Sequence, residues 1–227
     1  MKIQPGKWKV HCVIYDCDGV LFDSLEANTK LYNDLCAMVG RYPLREDEMR
    51  YVHTHTVYEA LHFIFGKEND LEKKALEILK QKQVDLKNYV GYLKMEPHLF
   101  QTLERLKEKG ILRVINTNRT TSMKYIMERY NLWPFFDMVV TALDVKNPKP
   151  HPESIEKIVQ AFNLNKEQTV FVGDSEVDQQ TARSSGVRFI AYKNKEIAND
   201  AYIDDHLALL NIISNEKNLR EEHDHGK

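Results

Sequence analysis

Cysteine is scarce, with three residues in a chain of 227. A small, odd number over that length argues against a disulfide framework and for a reducing compartment. Long hydrophobic runs are missing as well. None approaches the ~20 apolar residues of a membrane span. The opening MKIQPGKWKV lacks the apolar core of a signal peptide, so the cytoplasm is the expected location and no membrane partner is expected. An excess of charge of one sign is also absent. Net charge is −2, with no dense Lys/Arg block, so nothing draws the chain to nucleic acid or anionic lipid. A small anionic substrate stays open, because a local site can be positive on a nearly neutral protein. No short-period repeat is visible, and the sequence leaves the oligomeric state open.

What is present is an ordinary globular composition, 42% hydrophobic and 29% charged, in a length that suits one or two domains. Five short runs read as buried strands: HCVIY (11–15), ILRVIN (111–116), DMVVT (137–141), TVFVG (169–173) and VRFIAY (187–192). They are rich in Val, Ile and Phe without clean alternation, as parallel strands covered on both faces are. Helical patterns separate the later ones. Leu99, Leu103 and Leu106 share a face before Gly110; Met123, Ile126, Met127 and Tyr130 recur at helical spacing; so do Ile155, Ile158, Val159 and Phe162. The alternation implies an α/β fold with a doubly wound parallel sheet.

The alternation fails between about residues 24 and 94. Leu31, Leu35, Met38 and Val39 make a stripe before Gly40; Thr56 and Glu59 form a capping box opening a helix that stops at Gly66; Leu71, Ala75, Ile78 and Leu79 make another stripe. A helical block inserted after the first strand is expected to form a second, smaller domain. The tail REEHDHGK reads as disordered.

In such sheets, ligands bind outside the carboxyl ends of strands where strand order reverses. Asp16 and Asp18 follow the first strand. Two acids so close repel unless they share a proton or a cation neutralises them, and Mg²⁺ binds through one or two carboxylates plus a phosphate. A solvated turn is the plainer alternative. ILRVIN empties into Thr117-Asn118-Arg119, where a hydroxyl and neighbouring N–H leading into a helix suit a phosphate, or simply cap that helix. Lys149, between Pro148 and Pro150, is held with little freedom, aimed at a site or standing on a rigid surface loop. TVFVG empties into Asp174 and Asp178.

DCDGVLFDS, TN, KPHP and GDSEVD, in this order at these strand ends, resemble the haloacid dehalogenase superfamily over nearly the whole chain. Within it the chain is similar to the phosphoglycolate phosphatase and β-phosphoglucomutase branch, whose helical cap follows the first motif. The resemblance implies a Rossmann-like core from residues 1–23 and 95–220, a cap from 24–94 and a tail from 221–227. It implies Asp16 as nucleophile forming an aspartyl-phosphate, and Asp18 as general acid and base. Mg²⁺ would be held by Asp16, the Asp18 backbone carbonyl and Asp174. Thr117, Asn118 and Lys149 would bind the phosphoryl oxygens, with Asp178 orienting Lys149 or the metal's surroundings.

The expected activity is Mg²⁺-dependent hydrolysis of a small phosphorylated metabolite. A mutase is the alternative, though Thr117-Asn118 departs from the Ser-Ala-Ser-like motif frequent in mutases. Asp18 speaks against a dehalogenase, and the intact acid–Lys set against a catalytically silent binding module. Specificity is expected in the cap, where His53, Thr54 and His55 are candidate substrate contacts; exposed turn residues are the plainer reading. Cys17, between the two acids, reads as a small packed side chain rather than a reactive thiol.

Overall fold

The computed structural model describes residues 8–67, 69–81 and 83–214. The tail expected at 221–227 lies outside these, as do the side chains of His53 and Thr54. In chain order the first elements are β1 (Trp8–Lys9), β2 (Cys12–Tyr15) and β3 (Phe22–Asp23). The helices α1 (Leu25–Met38), α2 (Glu46–Thr54), α3 (Val57–Phe65), α4 (Asp70–Lys80) and α5 (Lys87–Val90) follow without an intervening strand. Then come β4 (Lys94–Met95), α6 (Leu99–Glu108), β5 (Leu112–Asn116), α7 (Ser122–Arg129), β6 (Met138–Val140) and α8 (Glu153–Ala161). The chain continues through β7 (Thr169–Gly173), α9 (Glu176–Ser185), β8 (Arg188–Tyr192), β9 (Ala201–Ile203), α10 (His206–Ile212) and β10 (Ile213–Ser214).

The central sheet has six strands in the order β6-β5-β2-β7-β8-β9, every pair parallel. The chain winds outward from β2 to one edge, returns, and winds outward from β7 to the other. That is the doubly wound Rossmann-like order, with its reversal between β2 and β7. The strands read as continuous apolar runs because both faces are covered. In β2, Val13 and Tyr15 enter one hydrophobic cluster, with Leu103 of α6 and Ile126 of α7, while Cys12 and Ile14 enter the other, with Ile158 of α8 and Ala182 of α9. In β7, Val170 and Val172 share the first cluster and Phe171 the second. Burying a side chain on each face removes the polar alternation an exposed sheet would show.

The inserted helices have their own apolar cluster. Tyr32, Leu35 and Cys36 of α1 pack with Val52 of α2, Ala60, Leu61 and Ile64 of α3, and Ala75 and Ile78 of α4. The Thr56–Glu59 capping box opens α3, with the Glu59 N–H donating to Thr56 Oγ1 at 3.3 Å and the Thr56 N–H to Glu59 Oε2 at 2.9 Å. Met38, expected in the α1 stripe, is exposed instead, because the face that packs on the cluster runs through Leu31, Leu35 and Val39, four residues apart, and Met38 falls off it. The plainer reading of residues 53–55 as a turn meets a helix that runs on to Thr54, with His55 as its C-cap. Glu46, Asp47 and Glu48 crowd the first turn of α2, where acids favour the helix dipole, and the Arg45 N–H donates to Glu48 Oε2.

At the neck of the insertion, β3 and β4 pair antiparallel, Phe22 opposite Met95 and Asp23 opposite Lys94. No described helix is long and apolar enough to cross a membrane.

Candidate active site

The reversal of strand order leaves a crevice beyond the carboxyl ends of β2 and β7. Asp16 enters it directly from β2, and its N–H donates to the Val172 carbonyl of β7. Asp174 enters from β7, Thr117 from β5, and Lys149 from the loop between β6 and α8. Asp16, Thr117 and Lys149 are buried.

Lys149 is the hub. Its Nζ lies 2.8 Å from Asp16 Oδ1 and 2.6 Å from Asp178 Oδ1. Burial works against its charge, and Asp16 and Asp178 outweigh burial, so the ammonium is held above its usual pKa. Asp178 is aimed by the start of α9, where Ser175 is the N-cap. Asp178 Oδ2 accepts from Ser175 Oγ at 2.6 Å, and the Asp178 N–H donates back to that oxygen at 3.2 Å. One capping residue therefore also orients the site's lysine. A Cβ on Gly173 would fall 2.4 Å from Asp178 Cβ, so no larger residue fits there as placed.

Carboxylate oxygens of Asp16, Asp174 and Asp178 all lie within 4.8 Å of one another. Three acids face one lysine. Burial first, then the charge of Asp178, pushes Asp16 up to about 7, and Lys149 only partly offsets them. Burial and the neighbouring acids drive Asp174 well above the usual carboxylate range. A set of hard oxygens with uncompensated negative charge is the donor chemistry that a divalent cation fits. The Asp174 main chain is itself held, because Asn194 Nδ2 donates to its carbonyl oxygen at 2.8 Å.

The turn after β2 brings Gly19 against Asp174, at φ 72°. A Cβ there would lie 1.8 Å from Asp174 Oδ2. Gly19→Ala is expected to lower the melting temperature, with the backbone alone costing about 1–2 kcal/mol in the left-handed region, and to displace Asp174. Thermal unfolding checks this; an unchanged melting temperature would show that the turn moves aside freely.

Asp18 is turned differently from Asp16. Arg119 grips it in a fork, Nε to Oδ2 at 2.7 Å and Nη2 to Oδ1 at 2.6 Å. Arg119 also donates to Asn28 Oδ1 of α1 at 3.2 Å, and Asn28 Nδ2 donates to Asp18 at 3.4 Å. The inserted block thus reaches the second acid directly. Arg119 carried little meaning in the sequence, and Asn28 none. Their partner lies 101 positions from the arginine, a distance no local pattern reveals. Thr117 Oγ1 accepts from the Arg119 N–H at 3.1 Å, and Asn118 Nδ2 donates to the Lys149 carbonyl at 3.1 Å. The helix expected right after this motif begins only at Ser122. Cys17 is fully buried, and burial holds its thiol well above the ordinary range.

A cavity of about 240 Å³ runs from Asp16, Asp18, Thr117, Asn118 and Lys149 to the inserted helices. His55 is on its wall, its Nδ1 2.9 Å from the Tyr51 carbonyl, as a donor to that oxygen, and its ring stacked on Tyr51.

Residues 13–192 match the family described as haloacid dehalogenase-like hydrolase. Pyrophosphatase PpaX of Bacillus mycoides (strain KBAB4) is 25% identical over 185 residues, covering 81% of this chain and 83% of its own. The crystal structure of a HAD-superfamily hydrolase, subfamily IA, variant 1, from Geobacter sulfurreducens PCA matches at a TM-score of 0.74 and 34% identity, covering 93% of this chain and 99% of that one. The crystal structure of a predicted phosphoglycolate phosphatase from Haemophilus somnus 129pt matches at a TM-score of 0.76 and 23% identity, over 89% and 97% of the two chains. At that identity it shows the fold alone.

Proposed function

Because the chain belongs to the haloacid dehalogenase-like hydrolases, we propose that it is a Mg²⁺-dependent phosphatase acting on a small phosphorylated metabolite through an aspartyl-phosphate on Asp16. The observation that carries the reading is Lys149 pinned between Asp16 and Asp178 at the strand-order reversal, with Asp174 beside them. The name of one relative, pyrophosphatase, supports phosphoryl chemistry. The helical block at 24–94 would act as the cap over a core of 1–23 and 95–220.

Asp16 and Asp174, with the Asp18 carbonyl, would hold the cation, and Asp178 is committed to Lys149 and Ser175. The cation would supply charge that lets an anionic nucleophile meet an anionic phosphate. The Asp16 carboxylate attacks phosphorus, and the bond to the leaving oxygen breaks as the new bond forms. Lys149 lies where it can hold a phosphoryl oxygen, and Thr117 with the Asn118 N–H would take the others. Asp18 gives its proton to the leaving alkoxide, then takes one from the water that hydrolyses the acyl-phosphate. The Arg119 fork covers both Asp18 oxygens, so the fork has to open for Asp18 to reach a leaving group or a water.

The test is phosphate release from a panel of phosphomonoesters with and without Mg²⁺. Release that stops on chelation is expected, and no release with Mg²⁺ would overturn the reading. The two acids should divide the labour. Asp18→Asn is expected to lose most rate on alkyl phosphates, whose leaving groups need a proton, and less on an activated aryl phosphate. Equal losses on both would remove Asp18 as general acid.

A further inference from the structure

The cavity has two chemically different ends. Its charged and hydroxylic lining comes mainly from the core: Asp16, Asp18, Thr117, Arg119 and Lys149. Its far wall is supplied by the inserted helices and their connections, and it is dominated by Leu31, Val52, Val57, Leu76, Leu79 and Leu86. Apart from Val52, which is fully packed, these side chains are only partly buried, packed on the helical cluster with a flank left open. Two of the exposed large apolar side chains on the described surface, Tyr58 at 56% and Leu143 at 58%, line the same cavity, one from each side.

Two of the polar side chains on the helical side are committed, while Tyr32 and Tyr58 bring hydroxyls to the same wall. Asn28 is bonded to Asp18 and Arg119, and His55 Nδ1 to the Tyr51 carbonyl. Lys80, the cation on that wall, is exposed. A polyol placed here would exchange its hydration for a wall on which apolar side chains predominate, and a buried polar group left without a partner is costly. A hydrocarbon would gain from the same wall. The cavity of about 240 Å³ lies below the roughly 300–1,000 Å³ of sites for drug-sized ligands.

On the phosphatase reading above, on which this rests, we infer that the substrate is the phosphomonoester of a small, predominantly apolar alcohol. Its phosphoryl group sits at Asp16 and Lys149, and its hydrocarbon part packs against Leu31, Leu76, Leu79 and their neighbours. A sugar phosphate, a carboxylated C2 phosphate or inorganic pyrophosphate fits this wall poorly.

An unbranched series of ethyl, butyl and hexyl phosphate tests this, because leaving-group basicity stays nearly constant along it and chain length isolates the contact. With Mg²⁺, kcat/KM is expected to rise by about fourfold for each methylene that enters the apolar end, until the cavity is full. Hexyl phosphate should surpass 2-phosphoglycolate, glycerol 3-phosphate and pyrophosphate. In Leu79→Gln the ratio of hexyl to ethyl turnover should fall severalfold. A flat or falling series, or a preference for the polar substrates, overturns the inference while leaving the phosphatase reading intact. Binding of the matching alkylphosphonates, which cannot be hydrolysed, to the unmodified protein separates the two ideas. Affinity that grows with chain length in a protein that releases no phosphate would sustain the apolar end and sink the phosphatase reading. Affinity indifferent to chain length would sink the apolar end.

Discussion

Asp16→Asn is expected to leave a folded protein with no practical rate of phosphate release. Asp16 is buried, its Oδ1 is 2.8 Å from Lys149 Nζ, and one of its carboxylate oxygens lies within 4.8 Å of one from Asp174. An amide keeps the shape but loses the nucleophile and one negative ligand. Phosphate monoesters are among the slowest esters to hydrolyse unaided, with enzymatic accelerations approaching ~10²¹-fold, so nothing measurable should survive without covalent catalysis. Substitution also removes one of three crowded acids, so the melting temperature should hold or rise. Phosphate release at the wild-type rate from the pure variant would refute the nucleophile, and a collapsed melting curve would show that Asp16 serves the fold as well.

The second large effect is expected from Lys149→Met. The side chain is 3% exposed and is paired with both Asp16 and Asp178. Its removal leaves three acids within 4.8 Å of one another without an ammonium. Breaking a buried ion pair by deleting one partner costs about 3–5 kcal/mol, and losing a donor to the transition-state oxygens lowers kcat by about 10²–10³-fold. Both losses should show together, in thermal unfolding and in single-turnover rates. Added Mg²⁺ should recover part of the melting temperature by restoring positive charge, without recovering the rate. A variant with normal kcat would place Lys149 outside the chemistry.

The strands of the central sheet were legible because burial on both faces writes them as short apolar runs; HCVIY and TVFVG need no partner to be recognised. The exception, β9, has three residues at the edge of the sheet between Asp200 and Asp204, too short and too polar in its flanks to show a pattern. Helix α2 was hidden by the polar run around Arg50 and His53, although the acids at 46–48 marked its start. At the site, Asp16 and Asp174 declared themselves by standing where strands end, Lys149 by its place between two prolines, and Asp178 by following Asp174 in the same acid-rich run. Arg119 and Asn28 did not. Their meaning is a fork and a bridge made across three separate segments, and sequence distance carries no trace of it.

The paired strands at residues 22–23 and 94–95 have a consequence for how this chain can change. The polypeptide leaves the sheet and returns to it at adjacent positions. For the sheet, everything from residue 24 to 93 is one closed loop with its ends already clasped. Lengthening such a loop is thermodynamically mild, about 0.6 kcal/mol for each doubling. Apart from Asn28, which is bonded to Asp18 and Arg119, residues inside it can be inserted, deleted or exchanged while the strand ends that carry Asp16 and Asp174 stay where they are. On the reading proposed above, in which this block meets the organic part of a substrate, recognition is free to drift at a pace the phosphoryl chemistry does not share.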